Sequence, residues 1–411
     1  MTANSPVRRL ADWDAAELRR LGAEHGTPLY AIDLDRVARN YRRLRDAFPD
    51  AGIHYAAKAN AGRAVLERLA AEGAGVECAS AGEVVRALDA GFDGEEVLYT
   101  AVNPPDRDLD AVVELAREES GLTITVGAGD TIDRLADRGY AGRLCVRVHP
   151  GVGAGHSDAV ATGRDARFGV PAEDAPSLLD DAAERGFDVV GVHAHTGSGL
   201  TNEDADAHRA VVETLAEVVD ATETPLEFVD VGGGFGVPYR PDEPPLDLDP
   251  IAEATRAALG DHEVRLAIEP GRYLVADAGV LLASVNTVKE TEAVVYAGVD
   301  AGMTTLIRPA LYGSYHHVAS LAPDAEERDR ATVSVVGPVC ESTDVLAEDR
   351  RLPAPRRGDL LAVGNAGAYG IEMANQYNSR PRPAVVALEG GTERVVRRRE
   401  TVEDVTAMEA P

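Results

Sequence analysis

One lysine of the chain, Lys58, is a candidate for covalent chemistry. Of the 41 basic residues only two are lysines, Lys58 and Lys289, and the rest are arginines. A lysine amine can lose its proton and form a Schiff base with a carbonyl, whereas an arginine guanidinium stays protonated. Lys58 directly follows residues 53–57, an apolar run typical of a strand. We therefore interpret Lys58 as a candidate nucleophile; a solvent-reaching lysine at a strand end is the alternative.

Three further stretches combine glycines with polar side chains after apolar runs. They read HAHTGSG from residue 193, DVGGGFG from residue 230 and EPGR from residue 269. Consecutive glycines let backbone N–H groups approach a phosphate closely. A Schiff-base lysine, a phosphate cradle and an acid beside a ring nitrogen are what pyridoxal phosphate requires. The residues thus predict pyridoxal 5'-phosphate as the cofactor, with Glu269 as the acid.

A repeating strand-then-helix pattern would position Lys58 and the three glycine-containing stretches close together. Helical stretches, such as residues 63–72, 81–90, 108–118, 131–137 and 205–221, alternate with strand-like runs. The eight runs span residues 52–57, 75–79, 96–100, 122–126, 144–148, 189–194, 226–231 and 264–268. This pattern predicts an α/β fold with a (β/α)8 barrel, in which functional residues gather at the C-terminal ends of the strands. A doubly wound open sheet is the alternative, although it usually has about six strands.

After Gly271 the sequence pattern changes: valine-rich runs appear in which apolar and polar residues alternate, and such runs are typical of strands. The runs are residues 278–288, 293–298, 331–336, 359–363, 384–387 and 392–397.

At the other end of the chain we predict one amphipathic helix over residues 1–27, a strand over 28–32 and a helix over 33–48. The expected domains are a barrel over residues 33–275 and a mainly β domain, barrel-like or sandwich-like, of residues 1–32 plus 276–411.

The charge of the chain limits its partners. A formal net charge of -29 opposes binding to nucleic acid and to anionic membranes. Acidic residues spread along the chain, combined with scarce lysine, indicate adaptation to high salt, where screening weakens self-repulsion. Three distant cysteines predict no disulfide framework and suit a reducing cytoplasm. No apolar run reaches the ~18 residues of a membrane-spanning helix, and the N-terminus does not resemble a secretory signal.

Several motifs resemble those of a known family. YAAKAN, HTGSG, DVGGGFG, EPGR, LIRPALY, GPVCESTD and AGAYG occur in the order found in the fold-type III, pyridoxal-phosphate-dependent amino-acid decarboxylases. The resemblance runs from about residue 28 to about residue 400. It implies a (β/α)8 barrel joined to a C-terminal β domain, and a homodimer with shared active sites. Within the family, the motifs are most similar to enzymes that decarboxylate meso-diaminopimelate to L-lysine.

The resemblance also implies roles for individual residues. Lys58 would bind the cofactor covalently, and Cys340 would donate a proton, so these two are the predicted catalytic residues. His195 would stack on the ring, whereas packing is the favoured interpretation of His193. The predicted cofactor contacts are Lys58, His195, Ser198, Gly232, Gly233, Gly234, Glu269, Pro270, Gly271, Arg272 and Tyr369. The predicted substrate contacts are Arg272, Arg308, Tyr312, Glu341 and Tyr369, and no metal is expected.

Other interpretations differ in the chemistry they require. A related decarboxylase would act on ornithine, lysine, arginine or carboxynorspermidine, but the ornithine enzymes tend to have Cys-Asp where this chain has Cys340-Glu341. A racemase would need a second base, and a cofactor carrier would lack the β domain. The chain departs from the usual family pattern at Glu77, at Thr196 and at the pair Thr304–Thr305.

Overall fold

The computed structural model describes residues 5–151, 154–155 and 168–410. The chain forms two compact units. One contains residues 38–236 and 246–274, and we call it the barrel unit. The other contains residues 1–37, 237–245 and 275–411, and we call it the β unit.

Eight parallel strands close on themselves in the barrel unit. In chain order each pairs with the next, and the last pairs with the first, which closes the barrel. The strands are β2 (Ala51–Ala56), β3 (Gly75–Cys78), β4 (Val97–Thr100), β5 (Thr123–Val126), β6 (Arg143–His149), β7 (Asp188–His193), β8 (Phe228–Asp230) and β9 (Arg265–Ile268). The predicted barrel is confirmed, and the open-sheet alternative is wrong because β9 pairs with β2.

Helices follow the barrel strands, as the alternating pattern requires. They are α3 (Arg63–Ala71), α4 (Ala81–Asp89), α5 (Asp106–Glu118), α6 (Gly129–Asp137), α7 (Ala175–Glu184), α8 (Ala205–Ala221), α9 (Leu248–Leu259) and the short α10 (Arg272–Val275). Local signals set their ends: the Ser80 hydroxyl accepts from Glu83 N–H and caps α4. Two-residue strands at Ala154–Gly155 and Gly197–Ser198 pair with each other, and Val170–Pro171 extends the sheet beside β6.

Side chains fill the interior of the barrel. A buried layer comes from five of its strands, so the barrel is packed rather than hollow. Phe228 is the largest member, and it fits because its neighbour Gly191 has no side chain; a Cβ there would lie 2.6 Å from the Phe228 ring. The layer consists of Leu98, Cys145, Val190, Phe228 and Ala267. This packed interior leaves the C-terminal ends of the strands as the place for a site.

The β unit is built around one nine-stranded sheet that takes in the N-terminal strand. Its strands are β1 (Leu29–Asp33), β10 (Gly279–Glu290), β11 (Val295–Val299), β12 (Val318–Ser320), β13 (Arg330–Val336), β14 (Val345–Pro353), β15 (Leu360–Val363), β16 (Ala384–Glu389) and β17 (Thr392–Arg397). The main order is β14-β13-β11-β10-β1-β16-β17, and β15 pairs with β10 and β12. The predicted mainly β domain with the N-terminal strand is confirmed.

The remaining helices are α1 (Ala15–His25), α2 (Leu34–Ala47), α11 (Arg308–Tyr312) and α12 (Val402–Thr406). The prediction of a single helix over residues 1–27 is wrong. A 3-10 turn at Leu10–Asp12 precedes α1, which Asp14 caps by accepting from two backbone N–H groups; residues 1–4 lie outside the described residues. Trp13, Leu18 and Leu21 nevertheless share one buried cluster. In the described part of the chain, no helix has the length and apolar character needed to cross a bilayer.

Candidate active site

A tight turn presents Lys58 at the end of β2. The 3-10 turn Ala57–Ala59 begins where the strand ends. The N–H of Ala56 donates to the carbonyl of Pro270 at 3.1 Å, which ties this turn to the loop after β9. Close approach is possible because residue 271 is glycine: a Cβ there would lie 3.1 Å from the Cβ of Ala56. The EPGR motif and Lys58 therefore share one edge of the barrel.

A buried carboxylate holds the Lys58 amine. Nζ of Lys58 lies 3.0 Å from Oε2 of Glu77, which β3 contributes. The Glu77 side chain is 2% exposed, whereas that of Lys58 is 43% exposed. Burial raises the pKa of Glu77, and the positive charge of Lys58 opposes that rise. The sequence singled out Glu77 only as a departure, and the structure shows that this departure contacts the candidate nucleophile.

Glu269 is a buried carboxylate rather than a solvated loop acid. Its side chain is 3% exposed, and Oε2 accepts from Nε2–H of His193 at 3.2 Å. Burial alone would raise the pKa of Glu269, but the interactions with His193 and Lys58 hold that pKa below its usual value. Its other oxygen, Oε1, is buried and has no hydrogen-bond partner among the described residues. Glu269 thus offers an ionised acceptor that lacks a donor.

The hydrogen bond to Glu269 corrects our interpretation of His193. We favoured simple packing, but this histidine supports the acid. Asp230, at the end of β8, lies in the same cluster: one ligand atom from each of the three residues lies within 4.8 Å of the others. Burial and the charge of Glu269 raise the pKa of Asp230 well above its usual value. Sequence reasoning missed Asp230 because its position in DVGGGFG looked like part of a strand.

A backbone hydrogen bond fixes the ring of His195. Nδ1 accepts from the N–H of Gly233 at 3.2 Å, so this nitrogen carries no proton. Burial, followed by the positive charge of Lys58, lowers the pKa of His195 to about 3. The imidazole is therefore neutral at physiological pH, and its orientation is set by the glycine loop. A neutral flat ring of fixed orientation is suited to stacking on an aromatic cofactor.

The glycine loop after β8 fits closely against the loop after β9. A Cβ at Gly233 would lie 2.1 Å from the carbonyl oxygen of Glu269, so any side chain would displace the backbone. Gly232 and Gly234 have φ values of 71° and 101°, which favour glycine. The N–H of Gly199 donates to the Gly234 carbonyl at 2.9 Å, which joins the loops after β7 and β8. Three loops thus form one cradle that a side chain would fill.

Ser198 and Arg272 bring a hydroxyl and a guanidinium to this cradle. Nη2 of Arg272 lies 3.2 Å from Oγ of Ser198, although the two residues are 74 positions apart in the chain. Backbone N–H groups, a hydroxyl and an arginine are the donors that phosphate prefers. Together with the unsatisfied Glu269 oxygen, the cradle fits pyridoxal phosphate. The barrel unit therefore brings together the predicted residues Lys58, His195, Ser198, Gly232, Gly233, Gly234, Glu269, Pro270, Gly271 and Arg272.

The β unit contains four of the five predicted substrate residues, Arg308, Tyr312, Glu341 and Tyr369. Arg308 begins α11, and its side chain is buried. Nη1 of Arg308 donates to Nε2 of His316 at 2.8 Å. Tyr312, at the end of α11, is 41% exposed, and Tyr369 adopts a φ of 55° in the loop after β15. Sequence reasoning missed His316, which no motif singled out.

Cys340 and Glu341 lie on a turn between β13 and β14. Asp344 organises this turn, because its carboxylate accepts from Val339 N–H at 2.6 Å and from Met303 N–H at 2.5 Å. Its oxygens leave no room for a Cβ at Gly337, which would lie 2.3 Å away. The Cys340 thiol is exposed, in contrast to the buried Cys78 and Cys145. Burial raises the pKa of both buried thiols, which makes them poor nucleophiles.

A tyrosine orients Glu341. The hydroxyl of Tyr377 donates to Oε1 of Glu341 at 2.7 Å, and this hydrogen bond raises the pKa of Tyr377. Tyr377 is exposed, and so is the turn that carries Glu341. The carboxylate is therefore held in one direction while remaining accessible to a cation.

The other two departures from the family pattern have local explanations. Oγ1 of Thr196 lies 3.4 Å from Nδ1 of His208, whose Nε2 lies 2.7 Å from the hydroxyl of Thr255, so Thr196 joins a buried polar chain. Thr305 Oγ1 donates to the Gly302 carbonyl at 2.8 Å and accepts from the Gly302 N–H at 2.8 Å. Thr305 thus closes the turn that leads into α11.

Comparisons with known proteins agree with this architecture. Residues 34–276 match the family described as pyridoxal-dependent decarboxylase, pyridoxal binding domain. A diaminopimelate decarboxylase of Methanothermobacter thermautotrophicus is 43% identical over 407 residues, covering 95% of this chain and 93% of that protein. The structure of diaminopimelate decarboxylase from M. jannaschii in complex with L-lysine matches with a TM-score of 0.88 and 30% identity, covering 100% of this chain and 99% of that chain.

A third relative has a different substrate range. The lysine/ornithine decarboxylase of Vibrio vulnificus, complexed with putrescine, matches with a TM-score of 0.78 and 26% identity. The match covers 93% of this chain and 99% of that one. Both units thus have counterparts in amino-acid decarboxylases.

Proposed function

The chain belongs to the pyridoxal-dependent decarboxylases, and on that premise we propose that it converts meso-2,6-diaminopimelate to L-lysine and CO2, the last step of lysine biosynthesis. The observation that carries this proposal is the 43% identity to a diaminopimelate decarboxylase over 95% of the chain. The similarity extends through both units, so it includes the β-unit residues to which we assign substrate recognition as well as the barrel.

The barrel unit supplies the residues that would hold pyridoxal phosphate. Lys58 would bind it covalently, the Gly232–Gly234 loop with Ser198 and Arg272 would hold its phosphate, and Pro270 and Gly271 would complete the contacts within this unit. When bound, the cofactor withdraws electrons from the carbon that loses its carboxyl group. Glu269 would support this chemistry, because an ionised acid beside the ring nitrogen favours the protonated form of that nitrogen. His195 would offer its neutral ring for stacking on the cofactor and would exclude water from that side.

The β unit would supply recognition of the distal end of the substrate, which carries one carboxylate and one ammonium group. Arg308 binds the carboxylate, because a guanidinium can bind a carboxylate through two parallel hydrogen bonds. Glu341, oriented by Tyr377, binds the ammonium. Within this unit, Tyr312 and Tyr369 would be the remaining substrate contacts. An amino acid without a distal carboxylate would leave Arg308 without its ligand.

The thiol of Cys340 would return a proton to the substrate carbon after CO2 leaves. The turn that carries Cys340 is fixed by Asp344, and its thiol is exposed, which supports this role. We propose that the protein is a homodimer and that Cys340 and Glu341 act on substrate bound by the partner's barrel. The support for this is the family resemblance in the GPVCESTD motif.

The cellular setting forms part of the proposal. The net charge of -29 favours a cytoplasm of high salt concentration and disfavours nucleic acid as a partner. The buried, separate cysteines Cys78 and Cys145 suit a reducing compartment.

Comparison of substrates tests the proposed function. The holoenzyme is assayed in molar potassium chloride with meso-diaminopimelate, L-lysine, L-ornithine, L-arginine and carboxynorspermidine, and kcat/KM is compared. We expect meso-diaminopimelate to exceed the others by about 100-fold or more, because a buried polar site rejects analogues that lack its partner group. A higher kcat/KM for ornithine would instead identify the related basic amino-acid decarboxylases.

Covalent trapping tests the assignment of Lys58. Borohydride reduction of the holoenzyme fixes the cofactor to the lysine that holds it, and peptide mapping distinguishes Lys58 from Lys289, the only other lysine. We expect the adduct on the Lys58 peptide. An adduct on Lys289 would overturn the assignment.

A further inference from the structure

His316 contacts the guanidinium of Arg308 in the interior of the β unit. The imidazole is completely buried, with 0% exposure. Its Nδ1 lies 2.9 Å from the carbonyl oxygen of Gly364, and its Nε2 lies 2.8 Å from Nη1 of Arg308. Both nitrogens are therefore engaged, one by the loop after β15 and one by the arginine that begins α11.

These two contacts determine the tautomer of His316. A carbonyl oxygen can only accept a hydrogen bond, so Nδ1 must carry the proton. A guanidinium can only donate, so Nε2 must be unprotonated. A doubly protonated imidazole would place two N–H groups and two positive charges against each other at 2.8 Å. The geometry thus describes a neutral imidazole that acts as an acceptor for Arg308.

The ring of Tyr239 contacts both His316 and the guanidinium of Arg308. The ring centroid of Tyr239 lies 5.2 Å from that of His316, in an edge-to-face arrangement with an interplanar angle of 86°. The same ring lies below the guanidinium, with Cζ of Arg308 4.9 Å from its centroid. Arg308 is therefore held by a hydrogen bond at one nitrogen and by contact with a ring face. Both restrict the rotation of a side chain that is otherwise flexible.

We propose that His316 is a positioning residue that selects for substrates with a distal carboxylate, because it fixes the orientation in which Arg308 receives that carboxylate. The inference rests on the proposed function, in which Arg308 is the carboxylate ligand. The acceptor nitrogen of His316 occupies one N–H of the guanidinium, and the direction of this bond sets the plane in which the other N–H groups point. Binding a carboxylate through two parallel hydrogen bonds requires that this plane be correct.

The proposal predicts a selective effect. Loss of the acceptor leaves the positive charge of Arg308 in place but allows its plane to rotate, so ligands with a distal carboxylate lose affinity. Ligands without that carboxylate do not use the plane and are unaffected. A purely structural role would instead weaken both kinds of ligand or lower the thermal midpoint alone.

The test compares four variants of the holoenzyme. His316→Phe removes both hydrogen bonds, and His316→Gln retains a group that can accept from Arg308. Arg308→Ala removes the proposed carboxylate ligand, and His317→Phe is the matched control, since its half-buried side chain adjoins His316 in the chain. Kinetics with meso-diaminopimelate are combined with calorimetric binding of pimelate, which has a distal carboxylate, and of the proposed product L-lysine, which lacks one.

For His316→Phe we expect KM for meso-diaminopimelate and Kd for pimelate to rise about 10-fold, as for loss of a hydrogen bond to a charged group. The value of kcat and the Kd for L-lysine should stay within about twofold of the parent values. His316→Gln should restore part of the pimelate affinity, and His317→Phe should match the parent. If His316→Phe does not fold, His316→Gln still decides, because its pimelate and lysine affinities must change by different factors.

Two results would overturn this inference alone, and a third would overturn the proposed role of Arg308 together with it. If Arg308→Ala weakens pimelate but His316→Phe does not, His316 has no positioning role and the proposed role of Arg308 stands. If His316→Phe weakens pimelate and L-lysine equally, its role is structural. If Arg308→Ala leaves the pimelate affinity unchanged, Arg308 is not the carboxylate ligand, and both the proposed recognition and this inference fail.

Discussion

The amine of Lys58 lies 3.0 Å from the carboxylate of Glu77. The two side chains belong to neighbouring parts of the barrel, the turn after β2 and the strand β3, and one is buried while the other reaches solvent. Glu77 therefore fixes the position of the lysine without covering it. The contact joins the candidate nucleophile to the barrel core.

The first prediction concerns this contact. Glu77→Gln keeps the side-chain volume but removes the charge, so the amine loses a charged hydrogen bond. We expect kcat/KM to fall about 10-fold or more, since hydrogen bonds to charged groups contribute about 1.5–3 kcal/mol. Steady-state kinetics provide the measurement. Glu67→Gln is the control, because Glu67 forms an exposed pair with Arg63 on α3; equal activities of both variants would contradict the role of Glu77.

The second prediction concerns the glycine cradle. In Gly233→Ala the new methyl group would meet the Glu269 carbonyl at 2.1 Å, so the loops must separate. We expect the affinity for pyridoxal phosphate to fall by about 100-fold, because misplaced donors lose most of their interaction with phosphate. Fluorescence titration of the apoprotein with the cofactor measures the effect. Gly82→Ala, where the nearest atom would be 3.7 Å away, should titrate as the parent does.

The third prediction concerns salt. At -29 formal charge, lowering the salt concentration from about 1 M to about 0.1 M lengthens the screening distance from about 3 Å to about 10 Å and restores self-repulsion. Thermal midpoint and activity should both decrease. Sodium chloride and potassium chloride of equal ionic strength should act alike, since screening depends on ionic strength. A midpoint that does not change over this range would exclude adaptation to salt.

The fourth prediction concerns the assembly. Lys58→Ala and Cys340→Ala should each be nearly inactive. When the two proteins are dissociated, mixed and reassociated, half of the dimers are mixed, and each mixed dimer has one intact site of two. About one quarter of the parental activity should therefore return. If subunits exchange and activity does not return, Cys340 acts within its own chain or has no role.

Much of the fold follows from the sequence, because buried parallel strands form apolar runs separated by amphipathic helices. All eight barrel strands fall within a few residues of their predicted ranges. The strand β14 was not predicted, since its segment from Glu348 to Arg351 is charged and lies at the edge of the sheet. The break before α1 was also missed, because the amphipathic pattern continues through the 3-10 turn at Leu10–Asp12.

The candidate site was only partly predictable, because a sequence shows unusual residues at strand ends but not the contacts that support them. Lys58, the glycine loop and Glu269 are recognisable because their residue types are unusual at strand ends. Their supports are not recognisable, since Glu77, His193 and His316 act through contacts that depend on the folded structure. His316 in particular is separated from Gly364 by 48 positions, and no local pattern indicates that contact.

The proposed reaction is the decarboxylation of meso-diaminopimelate by the holoenzyme. The most direct measurement follows CO2 and L-lysine together in molar potassium chloride with added pyridoxal phosphate, with Lys58→Ala as the control. We predict equal amounts of the two products from the parent protein and a loss of at least about 1,000-fold in the variant, the scale of a lost covalent catalytic group. Substrate consumption without CO2, or equal turnover by Lys58→Ala, would contradict the proposed reaction.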